Sequence, residues 1–283
     1  MFESLRPHLV DPIRSEALAS LVQQLQKRTT PTNVAQVRQL SPFRYPGGKT
    51  WLVPVVRKWL VTAKHPPSVF VEPFAGGAMA GLTAAAEGLA EKVFLCELDA
   101  DVAAVWATIF HGTDTDVRWL CERITGFEVN LDSVQLVLGI NPKSDKGKAF
   151  RTIVKNRMQR GGIMAVGAGL IKSGEAGRGL HSRWYPETLV KRIEALRTLR
   201  DKITFKQGDA FAVVKRFAND PNAFFYIDPP YTAGGKQAGT RLYAHNDVDH
   251  EKLFALMATV RGSVMMSYDE SLEVRKMARQ YSF

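Results

Sequence analysis

Four consecutive residues, Asp228, Pro229, Pro230 and Tyr231, carry the strongest chemical signal in the sequence. They directly follow the apolar run 223–227, which predicts that they lie at the end of a buried strand. A rigid turn could fix the Asp228 carboxylate and the Pro229 carbonyl as hydrogen-bond acceptors for an amine, and the tyrosine ring could stack on a planar base. The alternative is a proline turn that ends a strand. The pattern favours chemistry on a conjugated amine such as that of adenine, a poor nucleophile that must be oriented toward an electrophile.

A second group of residues predicts a ligand site at the ends of two neighbouring strands. The apolar residues 69–71 run into a glycine turn over 72–77, and a small-residue helix follows. Glycines here let a ligand approach the backbone, although an ordinary strand-to-helix turn would look the same and the dinucleotide fingerprint GxGxxG is absent. Glu97 ends the next strand, where it could accept hydrogen bonds from ribose hydroxyls, whereas we expect Asp99 to cap a helix.

The segment Gly47-Gly48-Lys49-Thr50 resembles the end of a phosphate-binding loop. The motif GxxxxGK[ST] also requires a glycine at position 43 and a strand immediately before it. The chain has Phe43 there and no strand pattern precedes it. The sequence therefore does not favour a nucleoside triphosphatase.

The positive charge of the chain is concentrated in one segment. The net charge of the 283 residues is +10, and residues 143–200 contain 14 Lys and Arg against 4 Asp and Glu, so the rest of the chain is neutral. A solvated helix face is one reading of such a segment. Its concentration favours a surface that binds a polyanion such as double-stranded DNA, with salt-dependent affinity.

The elements that must position these residues alternate between strand and helix, which predicts an α/β fold with parallel strands and right-handed crossovers. The alternation stops between about 112 and 200, where a basic amphipathic helix over 146–159, seven glycines between 161 and 179, and a helix from Pro186 indicate an insert. We predict an N-terminal helical extension over 1–40, a core domain over 41–111 and 201–283, and a basic recognition insert over 112–200.

Composition excludes several other classes of protein. No apolar run approaches the roughly 20 residues of a membrane helix, so we expect no membrane partner. The start of the chain has no signal-peptide pattern. The two cysteines, Cys96 and Cys121, have no CxxC spacing, so we expect neither a disulfide framework nor a metal site. A reducing cytoplasm fits this composition.

Three segments together resemble the Dam-like family of DNA adenine methyltransferases, over about residues 41–270. The opening motif is similar to residues 42–49, the cofactor motif to residues 72–77, and the catalytic motif to Asp228-Pro229-Pro230-Tyr231. The order of the motifs, with an insert between the last two, also resembles that of the family. The resemblance implies a Rossmann-like methyltransferase core and a terminal antiparallel strand pair, but no strand pattern follows residue 266.

The resemblance also implies roles for individual residues. The donor of the methyl group would be S-adenosylmethionine, and the acceptor would be an adenine flipped out of the duplex and stacked on Tyr231. Glu97 would hold the cofactor's ribose and Asp209 its adenine. The full set of residues expected at the cofactor is Tyr45, Lys49, Glu72, Phe74, Ala75, Gly76, Gly77, Glu97 and Asp209. The residues expected at DNA are Lys155, Asn156, Arg157 and Arg160.

Other functions remain open at this stage. An enzyme of this fold could methylate adenine in RNA, a glutamine side chain or a cytosine amine, although enzymes for the last two tend to carry Asn or Ser in place of Asp228. A non-catalytic DNA-binding protein could retain the same fold, and it would be distinguished by its failure to bind the cofactor.

Overall fold

The computed structural model describes residues 37–44, 49–165, 167–230 and 248–283. Within these ranges the chain forms five strands and ten α-helices. The strands are β1 (Val69–Glu72), β2 (Lys92–Glu97), β3 (Ile203–Gln207), β4 (Ala223–Ile227) and β5 (Ser263–Met266). The helices are α1 (Val53–Val61), α2 (Met79–Ala86), α3 (Ala100–Phe110), α4 (Asp114–Thr125), α5 (Leu131–Gly139), α6 (Asp145–Met158), α7 (Pro186–Arg197), α8 (Ala210–Phe217), α9 (His250–Met257) and α10 (Leu272–Gln280). The N-terminal extension predicted over 1–40 lies almost entirely outside the described residues.

The five strands form one parallel sheet in the order β3-β2-β1-β4-β5. Strand β1 is central, since Val69 pairs with Lys92 of β2 on one side and with Ala223 of β4 on the other. After β1 the chain adds β2 and then β3 on one side of it. The chain then crosses over and adds β4 and β5 on the other side of β1. Open α/β sheets bind ligands at such a reversal, beyond the carboxyl ends of the strands. This sheet confirms the predicted α/β fold with a Rossmann-like core.

Alternate side chains of the strands enter two separate hydrophobic cores, as the two-residue period of a strand requires. Phe70, Leu95 and Tyr226 face α2 and α3 on one side of the sheet. Phe225 and Ile227 face α8 and α9 on the other side. Helices among the described residues therefore cover both faces of the sheet, which leaves the strand ends accessible to a ligand.

The helices between 114 and 197 pack into the first of these cores. Ile153 of α6 and Leu189 of α7 belong to the same buried cluster as Leu95 of the sheet and Trp106 of α3. The segment predicted as an insert therefore packs against the sheet and shares its hydrophobic core. Its boundaries at 112 and 200 stay a prediction.

Helix α10 follows β5, and no antiparallel strand pair completes the sheet among the residues that the structure describes. No helix in the described ranges is long and apolar enough to cross a bilayer. The same ranges contain no group of three or more His, Cys, Asp or Glu side chains placed to hold a metal ion.

Candidate active site

A cleft of about 580 Å³ lies where β1, β2, β3 and β4 end. It is lined by these predicted site residues: Lys49, Glu72, Phe74, Ala75, Gly76, Gly77, Glu97, Arg157, Asp209, Asp228 and Pro230. Pro229 is buried next to the cleft, and Lys155, Asn156 and Arg160 do not line it. Tyr45 and Tyr231 lie outside the described residues.

Asp228 follows the last residue of β4 and enters the cleft with two described partners. Its Oδ1 atom lies 3.1 Å from the Lys49 ammonium nitrogen and accepts a hydrogen bond of 2.7 Å from the Ser267 hydroxyl. The backbone N–H of Ser267 donates to Ile227 O, which fixes the serine beside the turn. The sheet therefore holds the Asp228 carboxylate in place through β4 and through the residue that follows β5.

Glu97 ends β2 and closes the glycine turn that follows β1. Its two carboxylate oxygens accept hydrogen bonds from the backbone N–H groups of Gly76, at 2.8 Å, and Asp99, at 2.9 Å. The Trp106 indole donates to Gly76 O, which fixes the turn from the helix side. Burial raises the pKa of Glu97 to about 7, although these backbone bonds oppose the shift. Glu97 thus organises the turn in addition to lining the cleft.

Glu72 ends β1, and its side chain bonds to helix α2. It is 3% exposed and accepts a hydrogen bond of 2.7 Å from the backbone N–H of Gly81. A Cβ atom at Gly81 would lie 2.6 Å from the Leu95 side chain and 2.7 Å from the Glu72 carboxylate, so any larger residue would require these side chains to shift. Burial raises the pKa of Glu72 to about 8. This carboxyl group therefore anchors the first turn of α2 below the cleft.

The far end of the cleft combines a carboxylate with apolar side chains. Asp209 follows β3 and caps α8 by accepting a hydrogen bond of 2.8 Å from the Phe211 N–H. Phe211 and Leu98 line the cleft beside it, and Leu98 is 52% exposed. Asp99 caps α3, as its position in the sequence predicts. Exposed apolar residues next to a carboxylate suit a flat ring that carries a hydrogen-bond donor.

Two of the residues predicted at DNA are buried in the protein. Asn156 is 0% exposed, accepts a hydrogen bond from Arg44 N and donates to the carbonyls of Arg44 and Gly162. Arg157 is 6% exposed and donates to Pro42 O. The Asn156 side chain therefore anchors residues 41–44 in this structure, and its assignment as a DNA contact stays a prediction. Lys155 is half-buried and Arg160 is exposed, so both stay candidates for the DNA surface.

Several arginines surround the same part of the cleft. Arg44, Arg157, Arg183 and Arg192 all line it, and Arg192 donates to Ser41 O at 2.9 Å. Burial, and to a smaller extent the nearby charges of Arg192, Arg44 and Arg183, lower the pKa of Arg157 to about 9. This arginine cluster, defined here as Arg157, Arg183 and Arg192, comes from α6, α7 and the turn before α7.

Sequence reasoning missed Ser267, Leu98, Phe211 and two members of the arginine cluster. Leu98 and Phe211 had an available signal, because they lie one and two residues after predicted ligand residues at strand ends. Ser267 directly follows the last predicted strand and could have been found by the same rule. Arg183 and Arg192 carry no local signal, since their meeting depends on how α7 packs.

The fold and the cleft can be compared with known proteins. The comparison with curated proteins found no match. The family model described as D12 class N6 adenine-specific DNA methyltransferase matches residues 45–283. The matched range contains all five strands, the glycine turn, Glu97 and the Asp228 turn at the cleft. The chain therefore belongs to the D12 class N6 adenine-specific DNA methyltransferases. Membership of this family implies an enzyme that methylates adenine in DNA.

Proposed function

We propose that the protein transfers a methyl group from S-adenosylmethionine to the N6 amine of an adenine that has turned out of duplex DNA into the cleft. The observation that carries this proposal is that one cleft contains both the Asp228 carboxylate and the glycine turn with Glu97 and Asp209. The Asp228 carboxylate suits an amine, and the glycine turn with its two neighbouring carboxylates suits a nucleoside. A transfer reaction requires both groups in one space at the same time.

The residues at the sheet end of the cleft fit the cofactor. The carboxylates of Glu97 and Asp209 would accept hydrogen bonds from the ribose hydroxyls and the adenine amine, respectively. Leu98 and Phe211 would contact the adenine ring, and the glycine turn leaves room for the rest of the molecule. S-adenosylmethionine, when bound, supplies the electrophilic methyl group.

Asp228 binds and orients the adenine amine that accepts the methyl group. Its carboxylate accepts a hydrogen bond from the adenine amine and so fixes the direction in which the nitrogen lone pair points. The positive charge that develops on this nitrogen lies next to a carboxylate, which lowers the energy of the transition state. Both described contacts, from Lys49 and Ser267, are made to Oδ1, which fixes the rotation of the carboxylate.

In the protein without substrate, the Lys49 ammonium group contacts the Asp228 carboxylate as a hydrogen-bond donor. The incoming amine is also a hydrogen-bond donor, so it replaces or shares this contact. The ion pair between Lys49 and Asp228 is mostly buried, with side-chain exposures of 13% and 22%. It holds the Asp228 carboxylate in a fixed orientation before substrate arrives.

The test is transfer of labelled methyl from S-adenosylmethionine to matched DNA and RNA duplexes, followed by digestion and separation of the nucleosides. We expect labelled N6-methyladenine from DNA and none from RNA. Label recovered in RNA would indicate an RNA methyltransferase. A protein that binds DNA but shows no cofactor binding by calorimetry would be a non-catalytic member of the family, and the proposal would be wrong.

A further inference from the structure

Tyr226 is a buried polar residue of the cleft that the proposed reaction does not use. It is 2% exposed, and its ring stacks with that of Phe70 at a centroid distance of 6.5 Å. The residue lines the cleft, but its hydroxyl oxygen is buried and makes no hydrogen bond of normal geometry with the described residues. A buried hydroxyl that has given up its bonds to water lowers the stability of a protein unless it gains a partner. The hydroxyl group of Tyr226 is therefore a candidate for a role in the reaction.

The sheet places this hydroxyl group near Asp228. Tyr226 and Asp228 are two residues apart at the end of β4, and the alternation of a strand puts such residues on the same face. In the neighbouring strand β5, Met265 pairs with Tyr226, so Ser267 continues the register beside Asp228. The Ser267 hydroxyl donates to the Asp228 carboxylate at 2.7 Å. Two hydroxyl groups thus lie on the side of the sheet that carries this carboxylate.

The surroundings of Tyr226 keep its hydroxyl group protonated. Burial, and to a smaller extent the carboxyl groups of Asp228 and Glu72, raise the pKa of Tyr226 above its ordinary value. The Ser267 hydroxyl opposes this shift, which indicates that it lies close to the Tyr226 oxygen. A phenol that keeps its proton beside a hydroxyl and a carboxylate can act only as a hydrogen-bond donor to the carboxylate.

We propose that Tyr226 is a positioning residue for Asp228, whose O–H group turns toward the Ser267 hydroxyl and strengthens the hydrogen bond by which Ser267 holds the carboxylate. An O–H group turns without movement of heavy atoms, and hydrogen bonds in a chain polarise one another. The demand for this support rises when the adenine amine replaces or shares the Lys49 contact with Asp228. The inference rests on the proposed function, because it takes Asp228 as the group that orients the amine.

The competing role for the hydroxyl is a direct contact with the cofactor or with the adenine. The ring of Tyr226 lines the cleft, whereas its oxygen atom is buried in the protein. A bound molecule would reach that oxygen only if protein atoms moved aside. Support of Asp228 from within the protein requires no such movement.

The test uses the variants Tyr226→Phe, Ser267→Ala and their double, with Tyr281→Phe as the control. Tyr226→Phe removes one oxygen atom and keeps the ring that stacks with Phe70. Tyr281→Phe removes the same atom from a residue that does not line the cleft and whose hydroxyl lies 3.5 Å from Glu251. The measurements are kcat and KM for DNA, the affinity of S-adenosylmethionine by calorimetry, and the melting temperature.

Tyr226→Phe should lower kcat by roughly 3- to 10-fold, with KM for DNA and cofactor affinity within about 2-fold of the wild type. Its melting temperature should stay the same or rise, because the variant loses a buried hydroxyl that lacks a partner. In the Ser267→Ala background the same change should lower kcat by less than about 2-fold, since the serine hydroxyl through which it acts is gone. Tyr281→Phe should leave kcat unchanged.

Three results would overturn the inference. An unchanged kcat with a higher melting temperature would show that the hydroxyl is only an unsatisfied group of the core. Weaker binding of S-adenosylmethionine to Tyr226→Phe would show a direct contact with the cofactor. Equal losses of kcat with and without the Ser267 hydroxyl would show that Tyr226 acts independently of it.

A binding measurement tests the same inference without methyl transfer. Two fluorescent duplexes carry adenine or purine, which lacks the amine, opposite an abasic site that makes extrusion of the base less costly. The wild type should bind the adenine duplex more tightly because of the amine contact with Asp228, and Tyr226→Phe should narrow this difference. An unchanged difference would contradict the role of Tyr226. An inactive wild type would contradict the proposed function and leave this comparison intact.

Discussion

Buried carboxyl groups line the sheet side of the cleft, and the buried guanidinium group of Arg157 lines its helical side. On the sheet side, Glu72 and Glu97 accept backbone hydrogen bonds, and burial raises their pKa values to about 8 and about 7. Near neutral pH these groups can take up a proton and so avoid the cost of a buried charge. On the helical side, Arg157 has a pKa lowered to about 9 and remains charged at neutral pH. The carboxyl groups of the sheet side thus have hydrogen-bond donors within the protein, whereas the Arg157 Nε atom on the helical side has no hydrogen-bond partner among the described residues.

The largest expected effect tests whether the reaction is centred on the sheet side. Asp228→Ala should lower the rate of methyl transfer by about 10²–10³-fold or more, because the oriented acceptor for the amine is lost. Cofactor and DNA affinities should remain close to those of the wild type. Single-turnover transfer of labelled methyl, with the melting temperature recorded alongside, measures this. A folded variant with a near wild-type rate would remove Asp228 from the mechanism.

The next prediction separates buried from exposed residues on the helical side. Asn156→Ala should lower the free energy of unfolding by about 1–3 kcal/mol, because backbone groups at Arg44 and Gly162 lose their partner. Arg160→Gln, on an exposed side chain, should change stability by less than about 0.5 kcal/mol. It should instead reduce the salt slope of DNA binding by about 0.9.

Urea unfolding of both variants and salt titrations of DNA binding provide the measurements. Full stability of Asn156→Ala would show that the segment 41–44 does not depend on this side chain. An unaltered salt slope in Arg160→Gln would show that Arg160 belongs to a solvated helix face.

A pH series sharpens the contrast between the two kinds of buried charge. The folded-state pKa values of Glu72 and Glu97 are raised above the ordinary value of about 4.3. The stability that the two groups contribute is therefore fully present below about pH 4.3. It is lost as the pH rises through about 7 for Glu97 and about 8 for Glu72. The free energy of unfolding should therefore fall above about pH 5 by about 1.4 kcal/mol per pH unit for each of these groups, until the pH passes that group's folded-state pKa. The arginines contribute nothing to this slope.

Glu72→Gln provides the control for that series. It removes the group with the higher pKa, so the decline that remains should end near pH 7 instead of near pH 8. His250, whose pKa is lowered by burial, acts in the opposite direction but is present in both proteins and cancels in the comparison. Identical pH profiles for the two proteins would contradict the assignment of a raised pKa to Glu72.

The smallest effect concerns the residue that positions Asp228. Ser267→Ala removes the hydrogen bond of 2.7 Å to Oδ1, so kcat should fall by roughly 10-fold with little change in KM for DNA. Ser267→Thr keeps the hydroxyl group and should recover most of the rate. A loss of activity that follows the melting temperature, or no recovery by threonine, would indicate a purely structural role for Ser267.

The sheet side could be predicted well from the sequence. Apolar runs locate the strands, and parallel connections place all their carboxyl ends on one edge, so residues that follow different strands must meet. Asp228 and Glu97 were found in this way, whereas Asp209 was implied only by the family resemblance. Their hydrogen-bond partners could not be predicted. The number of backbone N–H groups that donate to Glu97, for example, depends on the path of the glycine turn.

The helical side was less predictable, for a physical reason. A basic amphipathic helix shows which residues are charged, but its sequence does not determine which face the rest of the protein covers. Asn156 and Arg157 belong to a run of polar and basic residues and are nevertheless buried, because the segment 41–44 packs over them. That segment precedes them by more than a hundred residues, and no periodicity within α6 reports its position.

The contact between Gly162 and Arg44 has a consequence for engineering. A side chain at Gly162 would lie 2.0 Å from the Arg44 carbonyl oxygen, and Asn156 bonds to both of these residues. The helical segment, if exchanged alone, would carry Asn156 and Gly162 but leave behind Arg44, which both of them contact. The exchangeable unit is therefore discontinuous, comprising the helices of 114–197 together with residues 41–44. Chimaeras that exchange both pieces should fold, whereas those that exchange only one should be less stable, because the hydrogen bonds of Asn156 to Arg44 are disturbed.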